Sequence, residues 1–156
     1  MNLLGTTRDR QTIKNVILNL AQKRKQVVYG GQASNIQLPS HLQRKTSDFD
    51  ILTKQPKKSA EELVRALNRE YQSNKFKVVP ATYKKTFKVK EIETGETIAD
   101  YTSTTKLPTT YKELGIDYAR LQYIRGKLRD ALKKPENEFR FEKDRNTLER
   151  IKQGGI

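Results

Sequence analysis

Apolar residues fall in separated periodic blocks along the chain. Ile13, Val16, Ile17 and Leu20 recur at helical spacing behind candidate N-caps at Thr6 and Thr7, which predicts a first helix with one buried face. Lys23, Arg24 and Lys25 close it, where cations suit the negative end of the helix. Gln26-Val27-Val28-Tyr29 is short, β-branched and aromatic and stops at Gly30-Gly31, so it reads as a buried strand entering a tight turn. A short helix is predicted over 32–38 before Pro39, and a second strand over 47–53. Ser59-Ala60-Glu61-Glu62 matches a capping box ahead of Leu63, Ala66 and Leu67, predicting a helix that opens there and ends near 72–74.

From Phe76 the period changes. Strands are predicted over 76–79, 86–93 and 97–102, the last two forming a hairpin around Thr94-Gly95-Glu96. Beyond Pro108, residues Tyr118, Leu121, Ile124, Leu128, Ala131 and Leu132 recur at helical spacing, and a final helix is expected over 142–152. The predicted order α-β-α-β-α-β-β-β-α-α describes an α/β (α+β) domain with a mixed sheet flanked by helices. Its length of 156 residues fits one domain.

Composition narrows the chemistry. A formal charge of +14 divides as +7 over residues 1–47, +2 over 48–104 and +5 over 105–156. The basic ends would attract phosphate-bearing partners, and the middle holds the carboxylates a cation needs. With no cysteine, thiolate zinc sites, iron–sulfur clusters and cysteine nucleophiles are excluded. The lone histidine, His41, reads as an exposed loop residue and excludes a histidine-rich metal site. Metal chemistry must then rest on carboxylates, whose hard oxygens select Mg²⁺ or Mn²⁺. No apolar run approaches the roughly 20 residues that span a bilayer, and the start lacks a secretory leader. A cytoplasmic, intracellular protein without membrane contact is the expectation.

Asp48 and Asp50 stand two apart on a predicted strand, so both side chains leave one face while Phe49 and Ile51 enter the other. Like charges side by side cost folding energy unless cations bind them. Asp100 lies among apolar and β-branched neighbours in Thr97-Ile98-Ala99-Asp100-Tyr101. If its strand lies beside that of Asp48 and Asp50, three carboxylates converge and can hold one or two divalent ions. Successive N–H groups at the Gly30-Gly31 turn can hold phosphate oxygens.

In this combination the chain resembles the DNA polymerase β superfamily of nucleotidyltransferases in its small single-domain form. The Gly30-Gly31 turn, the Asp48-Phe49-Asp50 strand and the later acid Asp100 carry the resemblance, over a core of residues 26–103, with 104–156 left as a C-terminal helical extension. The resemblance implies transfer of a nucleoside monophosphate from an NTP to an acceptor hydroxyl, with Asp48, Asp50 and Asp100 as catalytic metal ligands. Gly30 and Gly31 would cradle the triphosphate, with Arg44, Lys45 and Thr46 also touching phosphate. In a chain of this length the second domain with which many polymerising relatives grip the acceptor is not expected, so a partner protein is a further expectation.

Lys84, Lys85, Lys88 and Lys90 alternate with or precede Phe87 and Val89, and a basic strand face of this kind can follow a nucleic-acid backbone or simply guard a solvated edge. Arg120, Arg125, Lys127 and Arg129 give the next helix a positive side, and Tyr29 and Tyr101 are placed to stack on a base or to pack. Two other functions fit the same materials. A metal-dependent nuclease would use Asp100 and Glu91 with Lys88 or Lys90, and a non-catalytic basic module would bind nucleic acid with strong salt dependence and no metal dependence.

Overall fold

A computed structural model describes residues 7–82 and 85–154. The chain runs α1 (Thr7–Lys23), β1 (Val27–Tyr29), α2 (Gly30–Gln37), a 3₁₀ turn (Ser40–Leu42), β2 (Phe49–Thr53), α3 (Pro56–Glu70), β3 (Phe76–Pro80), β4 (Thr86–Glu91), β5 (Thr97–Ser103), β6 (Thr110–Glu113), β7 (Ile116–Ala119), α4 (Leu121–Leu132), a second 3₁₀ turn (Pro135–Arg140) and α5 (Phe141–Gln153). The seven strands form one mixed sheet in the order β3-β4-β5-β2-β1-β7-β6. Pairs β2/β5 and β1/β7 are parallel, and the other neighbours are antiparallel. Among the described residues no helix is long and apolar enough to cross a membrane.

Alternation along the strands sorts the sheet into two faces. Val28, Ile51, Val89, Ala99 and Tyr101 are fully buried on one of them, covered by α3, which packs on β2 to β5 and against α1. Leu63 and Leu67 of α3 and Ile17 of α1 complete this core. α2 sits at the end of β1 against β1, β2, β7 and α4, and α4 packs on α5.

Four sequence expectations change. The helix predicted to open at Ser59 begins at Pro56, a residue pre-set for the first helical position. Ser59 is therefore inside the helix and buried, and its hydroxyl bonds Gln26 and Thr53 in place of a capping box. The strand predicted over 47–53 begins at Phe49, with Asp48 just ahead of it, and the helix predicted from residue 32 opens at Gly30. The stretch 104–156 is not helical throughout: β6 and β7 form a hairpin, and β7 joins β1. That hairpin is hidden in the sequence because its turn is Leu114-Gly115, both at positive φ (50° and 80°), where asparagine or aspartate would normally announce it. Tyr118 of β7 also continues the helical spacing of α4 by coincidence.

Candidate metal and nucleotide site

The site begins with register. Tyr29 on β1 lies opposite Asp50 on β2, Asp50 opposite Asp100 on β5, and Asp100 opposite Lys88 on β4. One row thus crosses four strands on the sheet face away from α3. Asp48, just before β2, adds a third acid, and carboxylate oxygens of Asp48, Asp50 and Asp100 all lie within 4.8 Å of one another. Three oxygens at this spacing fit a hard divalent ion.

The electrostatics agree with a cation-seeking cluster. Burial, then the neighbouring charges of Asp100 and Asp48, push the Asp50 carboxyl up to about 7, while Arg140 and Lys143 pull the other way. Lys88 Nζ donates to Asp100 Oδ1 at 3.1 Å, so one acid already has a positive neighbour. Tyr29 Oη donates to Thr102 Oγ1 at 3.2 Å, and burial followed by the charge of Asp50 raises its hydroxyl well above the usual tyrosine value.

Gly30 has a specific structural reason. Its φ is +66°, and a Cβ there would collide with the Asp50 carboxylate, so the turn can press against the acid only as glycine. At Gly31 an added Cβ would meet Thr46 Oγ1 at 3.4 Å. α2 opens on these two glycines, which leaves its first N–H groups without intrahelical partners beside the acids. The chain between α2 and β2 is drawn in by α2 side chains. Gln32 Nε2 donates to the Asp48 carbonyl at 3.1 Å, and Asn35 exchanges two hydrogen bonds with the backbone of Arg44. Thr46 Oγ1 donates to Asp48 Oδ1 at 3.3 Å.

Gly30, Gly31, Arg44, Thr46, Asp48 and Asp50 line one small cavity of about 100 Å³. Lys45 borders a neighbouring groove of about 450 Å³ together with Arg10, Lys14, Arg44 and Lys143. Lys88 faces the acids, Lys85 is an exposed turn residue with φ +67°, and Lys84 lies outside the described residues. Tyr101 is fully buried on the opposite face and has no access to a nucleotide. Glu91 is buried at the far side of β4, away from the acid cluster, so the acids that gather are the three aspartates and not the Asp100–Glu91 pair.

Sequence reasoning missed the contribution of α5. Arg140, at the end of the second 3₁₀ turn, and Lys143, Asp144, Thr147 and Arg150 of α5 line the small cavity, and Tyr123 and Lys127 of α4 border a third cavity of about 250 Å³ beside Asp50. Arg140 Nη2 pairs with buried Asp144 at 3.7 Å. Burial and then the nearby Arg44 lower the Arg150 guanidinium, a sign that cations crowd here. The spacing 140, 143, 147, 150 places these side chains on one helix side, and that periodic run of basic and polar positions was the available signal.

No model of a protein family matches the chain, and no curated protein matches it in sequence. Among solved structures the chain is similar to the Megavirus polyadenylate synthase, with a TM-score of 0.78 and 19% identity. The match covers 96% of this chain and 32% of that one, so the chain spans about a third of that protein's length. The fold is nucleotidyltransferase-like. At this identity the likeness speaks for the fold, and the acid cluster rests on the geometry described above.

Proposed function

We propose that the protein is a Mg²⁺- or Mn²⁺-dependent nucleotidyltransferase of the DNA polymerase β type, moving a nucleoside monophosphate from an NTP to an acceptor hydroxyl on nucleic acid. The observation that carries this reading is the convergence of Asp48, Asp50 and Asp100 beside the Gly30–Gly31 turn. A bound divalent ion would supply Lewis acidity at the transferring phosphoryl group and lower the pKa of the acceptor hydroxyl. The chain's own residues supply the rest. Asp48, Asp50 and Asp100 present the ligand oxygens, and the first N–H groups of α2 with Arg44 and Thr46 bind the triphosphate. Arg140, Lys143 and Arg150 offset phosphate charge from the α5 side. The name of the structural neighbour, a polyadenylate synthase, favours adenylyl transfer to a nucleic-acid end among the variants of this chemistry.

The test is incubation with α-labelled NTPs, a single-stranded oligonucleotide bearing a free 3′ hydroxyl, and Mg²⁺ or Mn²⁺. Labelled, extended product and pyrophosphate are expected, and Asp48→Asn and Asp50→Asn should each reduce the rate by about 10³-fold. Absence of nucleotide transfer, or full activity in both variants, defeats the proposal. Shortening of the oligonucleotide without NTP would favour the nuclease chemistry instead.

A further inference from the structure

A second charged groove lies at the other end of β2, on the α3 face. Gln26, Thr53, Ser59 and Leu107 line it together with Arg24, Lys25, Lys54, Lys58, Glu62 and Arg65, around a volume of about 410 Å³. Glu62 is already taken, because Arg24 Nη2 donates to its Oε2 at 2.6 Å. Lys25, Lys54, Lys58 and Arg65 make no ion pair among the described residues, so four further cations border a groove whose one acid, Glu62, is already bonded to Arg24.

Three features make this more than a solvated surface. α3 opens into the groove with no side-chain cap at Gln55 and no acid in its first turn, so its positive end faces further positive charge. The groove also rests on buried polar groups: Gln26 Nε2 donates to Ser59 Oγ at 3.2 Å, and Ser59 and Thr53 share a hydrogen bond of 3.2 Å. Gln26 itself is only 4% exposed, and its Oε1 is buried without a hydrogen-bond partner. The groove thus sets a cationic rim over a polar floor, a lining that suits a ligand carrying negative charge and polar groups.

We infer that this groove binds the sugar–phosphate backbone of a nucleic-acid strand, at a site separate from the three aspartates. Phosphates meet the four cations and the open end of α3, over the polar floor of Gln26, Thr53 and Ser59. Lys58 and Arg65 are seven residues apart on α3, about 10 Å along the helix axis. That exceeds the size of one phosphate group, so the two cations meet different phosphates of a strand. No aromatic residue lines the groove, so the grip is on backbone and independent of base sequence. The inference goes beyond nucleotidyl transfer and stands whether or not the aspartates catalyse it.

The test is anisotropy titration of a labelled single-stranded oligonucleotide in EDTA, which separates this groove from any metal-dependent site. Lys54→Gln/Lys58→Gln should weaken binding roughly tenfold at low salt and flatten the log–log salt dependence by about 1.4, or 0.7 per lost phosphate contact. The control Lys133→Gln/Lys152→Gln removes the same charge elsewhere and should change binding by less than about twofold. Equal losses in both doubles, or no loss in the first, overturn the inference. ATP and inorganic phosphate are titrated as competitors. Displacement at millimolar levels by either would reassign the groove to small anions and equally overturn it.

Discussion

The two ends of strand β2 hold opposite charge problems. At its start, Asp48 and Asp50 meet Asp100 in a part-buried cluster where burial and then repulsion push Asp50 up to about 7. At its finish, Thr53 joins Gln26 and Ser59 under a rim of lysines and arginines that extend into water. Unpaired charge is costly in the first place because solvent is kept away, and cheap in the second because water screens it. The acid end therefore needs a cation for its stability, whereas the basic end can wait for an anion at little cost.

The largest effect that would sharpen this contrast is at the turn holding the acids. Gly30→Ala forces a Cβ into the Asp50 carboxylate at φ +66° and should destabilise the fold by about 1–3 kcal/mol in urea denaturation. Gly31→Ala, whose Cβ would meet Thr46 Oγ1 at 3.4 Å, should cost clearly less. If the two variants unfold at the same urea concentration, the close packing of turn against acid is not what requires glycine.

Next comes pH. The unfolded chain releases the Asp50 proton near its ordinary value of 3.8, and the folded chain holds it to about 7. In EDTA, stability should therefore fall as pH rises through that window, and the penalty is complete above about 7. Asp50→Asn should remove this part of the slope, and Mg²⁺ should stabilise the wild type more at pH 8 than at pH 6. Thermal melts across pH, with and without the substitution, read this directly; parallel curves would show that Asp50 is not held protonated.

Lys88 tests the boundary of the acid cluster. Its ammonium bonds Asp100 Oδ1 and so competes with a metal ion for the charge of that carboxylate. Lys88→Met should lower the half-saturating Mg²⁺ concentration several-fold, by about 3 to 10. Unchanged or weaker Mg²⁺ binding, measured by calorimetry, would mean that Asp100 takes no part in holding the ion.

The smallest effect belongs to the basic end. Ser59→Ala deletes the hydroxyl that links Gln26 to Thr53 and should cost about 1 kcal/mol. A change indistinguishable from zero would show that the polar floor of that groove adds nothing to the fold.

Much of the acid end was legible in the sequence. Strand alternation put Asp48 and Asp50 on one side, and a strand-embedded Asp100 had no local reason to be charged. The double glycine was legible as a turn, but its purpose was not. Phosphate approach was the expected reason, whereas the fold adds one that no spacing reveals, the contact of Gly30 with Asp50. Ser59 shows the reverse error: its place before Glu62 satisfies a capping pattern, yet Pro56 opens the helix three residues earlier and the hydroxyl finds remote partners.

The chain's local order determined the helices, most of the strands and the identity of the three acids, because period and turn chemistry act within a few residues. Tertiary structure alone decided that Asp50 and Asp100 share a register, that β6 and β7 extend the sheet beyond β1, and that Arg140 before α5 and Lys143 and Arg150 on it gather by the aspartates. Those outcomes depend on which distant faces bury each other. Hydrophobic burial rewards area removed from water without regard to sequence distance, so no local pattern can specify the partner.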